Sequence, residues 1–77
     1  MITNEVKKEL FASNLQVMEE ILNQLKKDIE DAKGYLNDKK DSDEYNLNTV
    51  VGTLLGMPPK LKQIEDMKNV MESVNRM

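Results

Sequence analysis

The stretch "FASNLQVMEEILNQLKKDIEDAKGYL", residues 11 to 36, decides the fold. Phe11, Leu15, Met18, Leu22, Leu25, Ile29, Ala32 and Leu36 follow one another at alternating spacings of four and three. That alternation keeps one apolar seam on one side of a helix over more than three heptads. Leu10, Val17 and Ile21 lie beside the seam and broaden it. A broad stripe suits a helix with two neighbours in a bundle rather than one partner in a zipper. The eight seam residues are therefore the candidate self-association surface.

Outward from this stretch, Thr3 or Asn4 is placed to cap the helix by accepting a first-turn N–H. The helix is expected over about residues 4 to 40, or ~55 Å at 1.5 Å per residue. Gly34 is its weak point, costing about 1 kcal/mol against alanine. Beyond it, "NDKKDSDEYN" breaks the periodicity. The polar stretch sets a turn at about 41–44, where Asp41 with Glu44, or Ser42 or Asp43 alone, starts a second helix.

The second helix is expected over about 44–56, with Leu47, Val51, Leu54 and Leu55 as its apolar face. The adjacent β-branched Val50 and Val51 also permit a strand. Gly56, Pro58 and Pro59 mark a corner at 56–59. Gly56 suits a left-handed C-terminal residue, and Pro58 disfavours helical geometry at Met57. Either proline fits the first turn of a third helix over about 59–76, where a missing N–H is harmless. Leu61, Ile64, Met67, Met71 and Val74 form its apolar face, with Val70 alongside. Gly52 and Gly56 are spaced to allow two helix backbones to approach closely. The predicted architecture is all-α: one domain over residues 1–77, a long helix packed antiparallel against a proline-kinked, two-helix return arm. A hairpin this thin buries one side of each helix, so a homodimer forming a helical bundle is expected.

Composition narrows the chemistry. The chain has 77 residues, a net charge of −3 and neither cysteine nor histidine. Thiolate ligands, thiol nucleophiles and the usual neutral-pH proton shuttle are thus missing. Glu19-Glu20, Glu30-Asp31 and Glu65-Asp66 are sequence neighbours that diverge on a helix rather than converge as a catalytic pair. "DSDEYNLN" resembles a calcium loop only in its alternation. Asn46 stands at the tight-turn glycine position, and Gly52 at that of the bidentate glutamate. No enzymatic activity, cofactor or metal is expected.

Two surfaces are candidates for binding another protein. One is the acidic tip, where Asp41, Asp43 and Glu44 accompany Tyr35 and Tyr45. The other is the last helix with Met67, Val70, Met71 and Val74, whose thioethers adapt to varied partners. Together they suggest a small acidic interaction module that regulates, inhibits or scaffolds another protein. The alternative is a nucleic-acid-binding hairpin using Lys7-Lys8, Lys26-Lys27 and Lys39-Lys40 with Lys60 and Lys62. Its weaknesses are the net negative charge, a single arginine and the lack of aromatics among the lysines. The start "MITNEVKKEL" has no apolar signal-peptide core, and the longest apolar run is too short to span a bilayer. A cytoplasmic protein without membrane contact is expected. Ten lysines to one arginine, with eight asparagines, suggest an AT-rich coding sequence such as that of a low-GC bacterium or its phage.

Overall fold

The computed structural model describes residues 2–77, of which α1 covers Asn4–Leu36, α2 Asp43–Thr53 and α3 Met57–Asn75. The chain is 83% helical, with no strand among the described residues. The Val50-Val51 pair lies inside α2. The long helix packs against α2 and α3, which form one return arm bent by 20°. The result is a rod with Cα extents of 60 × 15 × 8 Å.

Local chemistry sets the helix ends. Thr3 Oγ1 accepts the Val6 N–H at 3.3 Å, and Ser42 Oγ accepts the Tyr45 N–H at 3.1 Å. Each hydroxyl satisfies a donor that has no partner within its helix. The first helix stops at Leu36, four residues short of the expected end, and Gly34 is not the cause. Asp38 Oδ1 takes the Lys40 N–H at 2.9 Å. Such local side-chain bonds compete with the helical pattern. Asn46 then fixes the turn. It is the one buried polar residue among those described, and its Nδ2 donates to the Asp38 carbonyl at 2.6 Å. An Asn46→Ala substitution orphans that carbonyl and should cost about 1–2 kcal/mol in chemical denaturation.

The proline region departs from the expected corner. Gly56 has φ −79° and ψ −7°, so it is right-handed, and Met57 opens α3 rather than lying outside it. No residue among those described has positive φ. The second helix ends at Thr53, and the chain then turns through tighter bonds. Leu54 N donates to Val51 O at 3.1 Å, Leu55 N to Gly52 O at 3.3 Å, and Met57 N to Leu54 O at 3.1 Å. Pro58 and Pro59 sit in the first turn of α3, where their missing N–H groups cost little. Tightening by one residue lets the helical path continue through the prolines, so the arm bends but does not turn a corner.

The heptad arithmetic survives this bend. Asn46, Val50, Thr53, Met57, Lys60, Ile64, Met67, Met71 and Val74 are all shielded, at spacings of four and three throughout. On α1 the shielded set is Lys7, Phe11, Asn14, Met18, Ile21, Leu25, Asp28 and Ala32. Both helices of the hairpin thus follow a seven-residue repeat, as in an antiparallel coiled coil. At its middle Lys60 Nζ meets Asp28 Oδ2 at 3.1 Å, both side chains being about three-quarters shielded. A polar pair at seam positions fixes which residues face each other. At the open end Lys7 Nζ donates to the Asn75 carbonyl at 3.1 Å.

The inward face of α2 also differs from the expected one. The expected row included Leu47, Val51 and Leu55, yet these three are exposed. Polar Asn46, Thr49 and Thr53 turn inward instead, with Val50 and Leu54. Thr49 and Thr53 donate their hydroxyls to the carbonyls of Tyr45 and Thr49, at 2.9 and 2.8 Å. Each threonine hydroxyl is therefore satisfied by its own helix. The glycines do not mediate close packing either. A Cβ on Gly34, Gly52 or Gly56 would meet nothing within 4 Å. Gly34→Ala and Gly52→Ala, both inside helices, should each raise stability by about 0.5–1 kcal/mol. Thermal melts followed by circular dichroism would check this.

Candidate functional site

The expected seam divides in two. Phe11, Met18, Leu25 and Ala32 face the return arm, and Leu25 is only 5% exposed. Leu15, Leu22, Ile29 and Leu36 do not. They are 55%, 52%, 41% and 50% exposed. The inward column that complements Phe11 to Ala32 is Lys7, Asn14, Ile21 and Asp28, in which only Ile21 is apolar. The more aliphatic half of the heptad is thus left outside the hairpin.

The arm supplies a matching column. Leu54 and Leu61 stand four positions past inward Val50 and Met57, as Leu15, Leu22, Ile29 and Leu36 stand past inward residues on α1, and Leu47 continues the arm column one heptad earlier. In an antiparallel pair, columns so related border the same side of the seam. Seven aliphatic side chains therefore line one broad side of the hairpin. Of the arm residues, Leu54 is half-buried, while Leu47 and Leu61 are exposed. The opposite side carries Leu10, Val17, Gln24 and Asp31 against Thr49, Gly56, Gln63, Val70 and Met77. It is apolar only near the open end.

The surface area and dimensions of the chain are those of a rod. The chain exposes 6120 Å², against about 4,800 Å² for a compact monomer of its mass. Its radius of gyration is 18.0 Å, against about 11.5 Å for a compact chain of 77 residues. The excess, about 1,300 Å², comes from the rod shape of the chain as a whole.

Charges frame the aliphatic side. Along its α1 edge, at positions four past the exposed aliphatic column, stand Glu5, Ala12, Glu19, Lys26 and Lys33, all exposed. The acids occupy the N-terminal half and the lysines the C-terminal half. Along the arm edge stand Glu44, Val51, Pro58, Glu65 and Glu72, also exposed.

The other candidate residues fall into two groups. Tyr35, Asp41, Asp43, Glu44 and Tyr45 are all exposed around the tip. Asp43 and Glu44 also lie in the first turn of α2, where the helix dipole favours negative charge. On α3, Met67, Met71 and Val74 are half-buried in the seam, and only Val70 is exposed. Most of the methionine face is thus occupied inside the chain. Several lysines are engaged as well. Lys60 is paired with Asp28, Lys62 with Asp66 at 3.0 Å and Lys68 with Glu72 at 2.7 Å. The hydrogen bond and charge of Asp66 raise the Lys62 pKa.

An open cleft of about 320 Å³ lies at the hairpin's open end, lined by Asn4, Glu5, Lys7, Lys8, Phe11 and Asn75. Among the described residues no cluster of acidic side chains has metal-binding geometry, and no helix is long and apolar enough to cross a membrane. Comparison of the chain with protein-family models, curated proteins and solved structures returned no match.

Proposed function

We propose that this chain is a helical protein–protein interaction module that associates with itself and presents its acidic, tyrosine-bearing tip to another protein. Through that tip it regulates, inhibits or scaffolds its partner. The observation that carries the reading is the exposed aliphatic side formed by Leu15, Leu22, Ile29, Leu36, Leu47, Leu54 and Leu61. A contiguous apolar surface of this kind on a small protein marks a place where protein is meant to dock. At the tip, Tyr35 and Tyr45 supply amphipathic anchors, and Asp41, Asp43 and Glu44 supply charge that steers a basic partner.

Capture from a bacterial lysate by the full chain tests the tip, with Tyr35→Ala/Tyr45→Ala as the control. Proteins held by the native chain and released by the control support the reading. Identical capture by both variants contradicts it. A parallel salt titration against generic RNA and duplex DNA tests the other function class. Steeply salt-dependent binding there would replace protein docking by phosphate contact as the function.

A further inference from the structure

We infer that the aliphatic side is covered by a second copy of this chain, lying antiparallel with α1 against α1, so that the two tips project from opposite ends of the dimer. This rests on the reading of the chain as a self-associating interaction module and adds the geometry of the assembly. Two arrangements of face-to-face hairpins have twofold symmetry. In one, α1 lies on the partner subunit's α1, running the opposite way. In the other, α1 lies on the partner's return arm and both tips share one end. Both bury the same leucines, so the apolar residues alone do not choose between them. The framing charges do.

In the first arrangement, a twofold axis at about the level of residues 22 to 26 sets Glu19 between Lys26 of the partner subunit and Lys33 of the partner subunit. It also places Leu22 beside the partner's Leu22 and the partner's Ile29, and Leu15 near the partner's Leu36. The α1 edge, acidic in its first half and basic in its second, is self-complementary only when it meets itself reversed. In the second arrangement the levels are fixed by symmetry. Glu19 then stands opposite the partner's Glu65, while Lys26 and Lys33 face the partner's Pro58 and the partner's Val51. One like-charge contact replaces two opposite-charge contacts in each half. A bundle of four helices with each helix touching two neighbours follows from either arrangement.

The assembly is then a bivalent rod. With about 16 residues between the axis and each tip, a rise of 1.5 Å per residue separates the tips by about 50 Å. In the rejected arrangement the tips lie within about 20 Å, two helix spacings.

Because the chain has no cysteine, a single Asp41→Cys substitution carries a nitroxide label at the tip alone. Pulsed electron–electron resonance on the full chain is expected to give a distance near 50 Å. A distance of about 20 Å overturns the antiparallel arrangement while leaving the self-associating module in place. Absence of any coupling overturns the second copy as the occupant, and the aliphatic side then belongs to a different protein. Charge exchange supplies an independent check. Glu19→Lys should weaken dimerisation roughly tenfold, and adding Lys26→Glu and Lys33→Glu should restore it. Weakening without restoration contradicts the pairing of these edges.

Discussion

Leu25→Asp is expected to abolish the folded state. Leu25 is among the most buried residues described, on the α1 column that faces the return arm. Truncating such a leucine costs about 2–5 kcal/mol, and burying an unpaired carboxylate adds several more. A chain of this length has roughly 4–11 kcal/mol to lose. Among the described residues the seam holds only three buried apolar side chains, Ile21, Leu25 and Ala32, and no other buried cluster compensates. Far-ultraviolet circular dichroism should show the loss of most helix at 25 °C. Retention of native helicity would mean that the hairpin seam is assigned to the wrong column.

Leu22→Asp, one helical turn away, is expected to act on a different link. Leu22 is half exposed in the isolated hairpin, so its replacement removes little of the intramolecular packing. Its place is at the centre of the aliphatic side. Symmetry presents the change twice where two copies meet, so each new carboxylate is set against the partner's Ile29 and against the other new carboxylate. The mass in solution should fall to the 8.9 kDa of one chain. The melting temperature should cease to depend on protein concentration, as mass action requires when association is lost. A variant with unchanged mass and helicity would refute the role given to this side. The contrast between positions 22 and 25 separates folding from assembly within a single turn of helix.

Much of the architecture was legible in residues 11 to 36. Alternating spacings of three and four named a long helix with a heptad seam, the polar stretch after Leu36 named the turn, and the prolines named the division of the return arm. The seam itself was legible only as a union. Apolarity alone cannot tell which half of a broad stripe is used inside the chain, because the inward column of Lys7, Asn14, Ile21 and Asp28 is mostly polar. Two of its three polar members are accommodated by partners distant in sequence, Asp28 by Lys60 and Lys7 by the carbonyl of Asn75. Spacing within one helix does not carry that information.

The same limit explains α2. Its leucines suggested one face, but Asn46 belongs inside because the Asp38 carbonyl needs a donor. Thr49 and Thr53 belong inside because their own helix satisfies their hydroxyls. The bend of the arm was legible, but the conformations of Gly56 and Met57 were not, for a third reason. Two prolines forbid two N–H bonds, yet three tighter bonds carry the backbone past them with little change of direction. The tyrosines and acids of the tip were legible as exposed because turn residues are exposed. What they bind depends on chemistry supplied by another molecule.

These features make self-association the natural completion of the fold. The inward half of the stripe builds a thin hairpin, and the outward half is left for a second layer. On this reading the second layer is protein and, first, another copy of this chain. Light scattering during gel filtration, over a wide concentration range, measures it most directly. The expected result is a particle of twice the 8.9 kDa chain mass that dissociates only on dilution. A single-chain mass at every concentration, with helicity intact, would contradict it.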